Sequence, residues 1–299
     1  MVAVVTGAAG FIGTTLVGLL AGRGPVVAID RRPAGPSTNG VRYLRADLLD
    51  DDPVVTAALG GASAVYHLAG CPDVRDPRRD AEQHRYRDNV LATAAVLARV
   101  PAEVPLVVTS SSSVYGGTVP GRPSAETDPL RPHGGYARSK LLVERLCQAR
   151  LDAGGTVTVV RPFTVAGEGQ RPGMALAQWI DAARAGRPLR LLGHPERSRD
   201  ITDVRDVARA LAELGERPVD GVVNVGTGVA RTLRELAGAV AVLFGTQVCT
   251  VLEPTHPAEV DHTLADVGRL RAHLGWVPVT DLDGLVARQA AARSLSLTT

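Results

Sequence analysis

Thr6-Gly7-Ala8-Ala9-Gly10-Phe11-Ile12-Gly13 follows a short apolar run, Val2–Thr6, and opens a longer one, Phe11–Gly22. The order is strand, tight turn, helix. Each glycine meets a separate steric demand. Gly7 permits the turn, Gly10 lets a pyrophosphate approach the backbone, and Gly13 lets the helix pack close to the sheet. Phosphates would sit on the free N–H groups of the helix start, around Phe11 and Ile12. Asp30 ends the second strand about 20 residues on, where a carboxylate can accept from both ribose hydroxyls of an adenosine. That acid favours NAD(H) over NADP(H), because a 2′-phosphate would meet a negative charge. Arg31 and Arg32 follow directly; they read as a solvated strand end, with NADP binding through them as the alternative.

Working outward, the first half alternates β-rich and helical runs. Val2–Thr6, Val26–Asp30, Val41–Ala46, Ala64–Leu68, Leu106–Ser110 and Thr156–Arg161 read as strands. Most are continuously apolar, as expected when both faces of a parallel sheet are covered. Phe11–Gly22, Pro53–Leu59, Ala81–Val100 and Tyr136–Ala153 read as helices between them. This alternation predicts an α/β fold, a doubly wound parallel sheet of about seven strands. Right-handed crossovers place the carboxyl ends of the strands along one edge, where ligands bind.

After Arg161 the rhythm changes. Residues 162–199 are rich in Gly, Pro and Arg, with one helical patch, Met174–Ala185. A helix at Asp203–Leu214 and a strand at Val222–Val225 are expected to return to the main sheet. Beyond them, helix Thr232–Phe244, strand Val248–Leu252 and helices near Asp266–Leu274 and Leu282–Ala292 suggest a smaller mixed α/β C-terminal domain. The expected division is 1–165 for the nucleotide domain, with about 202–228 returning to it, and 166–299 for the substrate domain. Ser294–Thr299 reads as a frayed tail.

Bulk properties narrow the function classes. The 299 residues include 33 basic and 31 acidic side chains, a net charge of +2, without a long run of one sign. That argues against a nucleic-acid surface. Cys71, Cys147 and Cys249 are far apart, so neither a disulfide framework nor a cysteine metal site is expected, and a cytoplasmic location is the simplest reading. Met1–Gly22 carries no charge, but its glycine-rich interior breaks it into strand and helix, so no membrane segment is expected.

The chemistry is carried by Tyr136-Ala137-Arg138-Ser139-Lys140. Four residues apart, the phenol and the amine share one helix face. An ammonium beside a phenol favours phenolate, so Lys140 is expected to lower the tyrosine pKa. Ser111, in the serine-rich strand end Thr109–Gly116, can hold a substrate oxygen against that tyrosine. The set is an acid/base device for a carbon that alternates between alcohol and ketone.

Taken in order, these motifs resemble the extended short-chain dehydrogenase/reductases, specifically the NAD-dependent nucleotide-sugar epimerase/dehydratase family. The likeness spans nearly the whole chain. Besides the glycine turn it rests on Asp47-Leu48, His67-Leu68-Ala69-Gly70, Asn89, Ser110–Gly116 and Tyr136–Lys140. It continues through Arg161-Pro162-Phe163, Arg199-Asp200-Ile201-Thr202, Asn224–Gly228 and Leu274-Gly275-Trp276. The resemblance implies an N-terminal Rossmann domain holding NAD and a C-terminal domain holding a nucleoside-diphosphate sugar. It makes Tyr136 the general base/acid, Lys140 a nicotinamide-ribose ligand, and Ser111 the partner of the reacting oxygen. Cofactor contacts are implied for Asp47, Leu48, Leu68, Ala69 and Gly70, and further for Asn89, Thr109 and Pro162. A turn cap is the alternative for Asp47. Substrate contacts are implied for Ser111, Ser112, Thr164, Met174, Arg199 and His256.

Two departures shape the reading. Ser112 and Ser113 stand where the family's sugar dehydratases carry Asp-Glu, and Ser113 where its decarboxylases carry Glu, so elimination and decarboxylation are disfavoured. Thr164, Ala166 and His256 replace the Asn, Tyr and Arg of many relatives, which implies a retuned substrate pocket. What remains is hydride transfer at C4. The leading expectation is an NDP-sugar 4-epimerase, with a one-way NDP-4-keto-6-deoxyhexose 4-ketoreductase as the alternative. A non-catalytic nucleotide-sensing scaffold, from a different functional class, is disfavoured because Tyr136 and Lys140 are both kept. A homodimer through the helices near 81–100 and 136–153 is the expected assembly.

Overall fold

The computed structural model describes residues 2–33, 38–74, 78–245, 249–255 and 259–295. In chain order the first part runs β1 Ala3–Thr6, α1 Phe11–Ala21, β2 Val26–Asp30, β3 Val41–Arg45, α2 Pro53–Gly60 and β4 Ala64–His67. It continues with α3 Ala81–Arg85, a π-helical segment Tyr86–Leu91, α4 Ala92–Arg99, β5 Leu106–Thr109, α5 Gly134–Asp152 and β6 Thr158–Pro162. The second part holds β7 Thr164–Ala166, α6 Ala175–Arg184, β8 Leu189–Leu192, β9 Ser198–Asp203 and α7 Val204–Glu216. It closes with β10 Gly221–Val225, β11 Ala230–Thr232, α8 Leu233–Phe244, β12 Thr250–Glu253, α9 Gly268–Leu274 and α10 Leu282–Leu295.

Seven strands form one sheet in the order β10-β6-β5-β4-β1-β2-β3, and every neighbouring pair is parallel. The chain winds outward from β1 to β3 and then restarts on the other side of β1 with β4. That reversal opens a crevice at the carboxyl ends of β1 and β4, where ligands of such sheets sit. Both sheet faces are covered. Val5, Tyr66 and Val223 pack under Leu16 and Leu20 of α1 and Leu211 and Leu214 of α7. Val4, Val65 and Val108 pack under Val55 and Leu59 of α2, Val96 of α4 and Val143 of α5. Each fully buried leucine or valine contributes about 1.5–3 kcal/mol relative to exposure. A third core joins Trp179 and Ile180 of α6, Leu236 and Val240 of α8, and Leu285 and Val286 of α10.

Local chemistry sets the helix starts. Asp52 accepts from the Val54 and Val55 N–H groups, with Pro53 beginning α2. Asp203 caps α7, and Thr232 with Glu235 forms a capping box on α8. Among the described residues, no helix is long and apolar enough to cross a membrane.

The structure corrects several readings. Residues 81–100 form one helical path, but a π turn interrupts it at Tyr86–Leu91, and the Ala92 N–H reaches back to the Arg87 carbonyl. A single extra residue in a helix does not disturb apolar periodicity enough to be seen. Residues 162–199 hold three short strands besides α6, and β11 follows later. β9 pairs with β7 and β11, and β8 with β12. Strands of three to six residues whose partners are distant carry no local signature. Helix α10 runs through Ser294 to Leu295 rather than fraying at Ser294; residues 296–299, like Val248, lie outside the described residues.

Candidate active site

A cavity of about 1020 Å³ runs along the carboxyl edge of the sheet. One end is walled by the turn Gly7–Gly13, Asp30 and Asp47-Leu48. Its centre is walled by Leu68–Gly70, Thr109–Ser113, Tyr136 and Lys140, and its far end by Pro162–Thr164, Met174 and Arg199.

The dinucleotide end fits NAD on its steric detail. Gly7 has φ +70°, and a Cβ there would lie 2.6 Å from the Ala69 nitrogen. A Cβ on Gly13 would lie 2.2 Å from the Gly7 carbonyl oxygen. Neither position could carry a side chain without a clash, so the turn keeps its close approach to Leu68-Ala69 and to the helix start. No side chain caps α1, so the helix start remains available to an anion. Asp30 Oδ2 accepts from the Ala9 N–H at 3.0 Å and Oδ1 from the Arg32 N–H at 2.9 Å. These bonds lock the carboxylate at the mouth of the adenosine end.

Arg31 and Arg32 are both exposed, and each meets a carboxylate. Arg31 pairs with Asp88 at 2.6 Å, and the Arg32 Nε lies 3.4 Å from Asp30. Asp47 acts as the turn cap, accepting from the Leu49 N–H at 3.0 Å, and also pairs with Arg87 at 2.7 Å. Burial pushes the Asp47 carboxyl up, but bonds from Arg87 and Leu49 outweigh it and hold it below its usual range.

Ser111, Tyr136 and Lys140 meet at the centre. The end of β5 delivers Ser111 and the start of α5 delivers the other two. Tyr136 and Ser111 line the same stretch of the cavity, and the Ser111 hydroxyl favours the phenolate. The Lys140 Nζ is buried and donates to the Thr109 carbonyl at 2.8 Å. Burial lowers its pKa to about 8, against the raising influence of Cys147, Glu144 and Cys71. The tyrosine differs from the sequence expectation. Burial pushes its pKa above 10.0, while the Ser111 bond and the Arg171 charge pull down and Cys71 adds to the rise.

Other residues support the centre from behind. Asn89 is buried; its Oδ1 accepts from the Cys71 N–H at 2.7 Å and its Nδ2 donates to Ser139 Oγ at 2.8 Å. It therefore braces the wall from outside the cavity. Glu144, one turn beyond Lys140, accepts from Ser110 Oγ at 2.5 Å and from two Arg161 nitrogens at 2.9 and 2.6 Å. Arg161 also reaches Tyr115, whose hydroxyl donates to Asn224. Asp200, buried completely, receives the Thr227 N–H and hydroxyl and the Gly228 and Ala265 N–H groups. Sequence motifs name Arg161, Asp200 and Asn224 without showing that they anchor loops.

At the far end, Arg199 Nη2 donates to Glu259 Oε2 at 3.0 Å and Nη1 to the Ser198 and Asp261 carbonyls. Ser112, Thr164 and Met174 line the cavity as expected. His256 lies outside the described residues. Glu259, which follows His256 in the same segment, also lines it, as do Arg171, Gln170 and Thr263, which were not anticipated since none belongs to a motif. The loop 167–174 between β7 and α6 carries Arg171 toward Tyr136.

Comparison with known proteins bears on this geometry. The family model for the NAD-dependent epimerase/dehydratase family matches residues 3–226. A UDP-glucose 4-epimerase of Mycolicibacterium smegmatis is 33% identical over 302 residues, covering 95% of this chain and 96% of the relative. The solved structure of MoeE5 with UDP-glucuronic acid and NAD is 38% identical at a TM-score of 0.89, covering 99% of this chain and 100% of that one. MoeE5 has also been solved with UDP-glucose and NAD. A UDP-glucuronic acid 4-epimerase from Bacillus cereus, in complex with UDP-glucuronic acid and NAD, is 25% identical at a TM-score of 0.90, covering 99% of this chain and 100% of that one.

Proposed function

This chain belongs to the NAD-dependent epimerase/dehydratase family, and from that premise we propose that it interconverts UDP-linked sugars at C4. The observation that carries the reading is the convergence of Ser111, Tyr136 and Lys140 midway along one cavity, between the dinucleotide turn and the Thr164–Arg199 end. Ser112 and Ser113 line the same wall and offer no carboxylic acid for elimination.

Bound NAD supplies a hydride acceptor and returns the hydride, so no net redox results. The protein moves the proton. Tyr136 removes it from the C4 hydroxyl as C4 is oxidised and returns it when the 4-keto sugar is reduced on its other face. Ser111 donates to the C4 oxygen and holds it in line with the phenol. Lys140, anchored by Thr109, would hold a nicotinamide ribose and keep a positive charge near the reacting atoms. Arg199, its guanidinium held by Glu259, would meet the diphosphate.

Arg171 refines the substrate class. Its charge reaches Tyr136, and its contact with Asp73 is long, at 3.9 Å. A cation there suits a sugar with a carboxylate at C6, so we include UDP-hexuronic acids with UDP-hexoses. A homodimer is part of the same proposal. Tyr86 and Leu91, on the segment packed beside α5, are 50% and 41% exposed, and a second copy of that face would cover them.

The test offers UDP-glucose, UDP-galactose and UDP-glucuronic acid to the protein with NAD and follows the C4 configuration by proton NMR. Equilibration of 4-epimers without net change in NADH absorbance is expected. Stoichiometric consumption of reduced cofactor would instead identify a one-way ketoreductase.

A further inference from the structure

The π turn at Tyr86–Leu91 meets a hydrogen-bond chain that ends on Thr93, a residue outside every motif used so far. His67, Thr6 and Thr93 are at most 2% exposed and form a polar chain through the core. Thr6 Oγ1 lies 2.7 Å from His67 Nδ1, His67 Nε2 lies 3.0 Å from Thr93 Oγ1, and Thr93 Oγ1 lies 2.5 Å from the Asn89 carbonyl oxygen. The proton positions follow from these contacts. A carbonyl has no proton to give, so Thr93 donates to Asn89. Thr93 must then accept from His67 Nε2–H. Burial drives the His67 pKa down to about 3, so the ring is neutral and its Nδ1 accepts from Thr6. Every polar atom of the chain is thus satisfied in one direction.

What the chain holds is Asn89. From the wide turn its amide bridges the Cys71 N–H and Ser139 Oγ, and Ser139 Oγ donates to the Tyr136 carbonyl at 2.7 Å. Cys71 and Tyr136 both line the cavity. Turns of this kind recur at functional sites, and here the Thr93 hydroxyl bonds the carbonyl four residues back, inside the turn.

We infer that Thr93 is a positioning residue: oriented by His67, its hydroxyl holds the π turn so that Asn89 sets the Cys71 wall and the Tyr136 end of α5. Its kinetic consequence rests on the epimerase reading; its structural consequence does not.

Thr93→Val is nearly isosteric and removes only the hydroxyl. The expected result is a kcat lowered about tenfold with KM changed less than about twofold, as for a displaced acid/base group. Hydrogen exchange at the Cys71 amide should quicken about tenfold, the loss of about one hydrogen bond. Thr93→Ser should restore both. Wild-type kcat and exchange in Thr93→Val, or no restoration by serine, would overturn the inference. If Thr93→Val does not fold, two His67 variants decide. His67→Gln can still donate to Thr93 and should retain Cys71 protection and kcat. His67→Asn can only meet Thr6 and should lose both; the reverse order overturns the inference. If wild-type protein epimerises no UDP-sugar, the functional reading fails while the exchange measurements still decide the role of Thr93.

Discussion

The Lys140 ammonium donates to the Thr109 carbonyl at 2.8 Å from a site only 7% exposed. The helix carrying the proposed acid/base pair is thereby tied to the strand end that carries Ser111. The tie holds a charged group where solvent does not reach it, and this has a measurable cost. Burial lowers the amine from its ordinary 10.5 to about 8. Between those two pH values the unfolded chain binds more protons than the folded one, so stability rises with pH across that window. Below pH 8 the penalty is fully present, at about 3 kcal/mol. Lys140→Met should therefore be more stable than wild type at pH 7 in urea unfolding without cofactor, with the gap closing toward pH 10. A constant gap across that range would contradict the linkage.

The phenol titrates in the opposite sense. In the cofactor-free protein Tyr136 is pushed above 10.0 by burial, so almost none is phenolate at neutral pH. Cationic NAD beside it should bring the value down. Ultraviolet difference titration of wild type against Tyr136→Phe should show one tyrosine ionising late without NAD and earlier with it. The same variant should lose about 10²–10⁴-fold in kcat while binding NAD within a few-fold of wild type. A phenol that already ionises early without NAD would refute the account.

Asp30 should govern the choice of cofactor. Its carboxylate is fixed by the Ala9 and Arg32 N–H groups, and Arg32 lies beside it. Asp30→Ser removes charged acceptors for the ribose hydroxyls, each worth about 1.5–3 kcal/mol. NAD should bind about 10- to 100-fold more weakly, and NADP should gain relative to it because Arg32 is freed. Calorimetric titration of both dinucleotides measures the ratio; an unchanged preference would remove Asp30 from the site.

Glu144 and Arg161 form an ion pair whose side chains are 8% and 3% exposed. Removing one partner of such a pair strands the other without solvent, at about 3–5 kcal/mol. Glu144→Gln should lower the urea midpoint accordingly and reduce activity, since Ser110 beside Ser111 also bonds Glu144. The double variant Glu144→Leu/Arg161→Met should recover most of the stability. A Glu144→Gln protein as stable as wild type would show that the pair is not held in a dry interior.

The linear chain by itself determined the sheet and the identity of the chemistry. The glycine turn, Asp30 and the continuous valine-rich runs are local statements, since turn geometry and strand burial are dictated within a few residues. Tyr136 and Lys140 are legible for the same reason: a four-residue spacing places both on one helical face. Tertiary structure alone decided how those groups behave. Lys140 donates to the Thr109 carbonyl, and burial pushes the Tyr136 phenol up. Arg171 enters the cavity from a loop without a motif. The π turn depends on a hydrogen-bond chain from Thr6 through His67 to Thr93. β7, β8, β9 and β11 exist only against partners far along the chain. Desolvation and long-range pairing depend on what surrounds a residue in space, and no window of sequence contains that information.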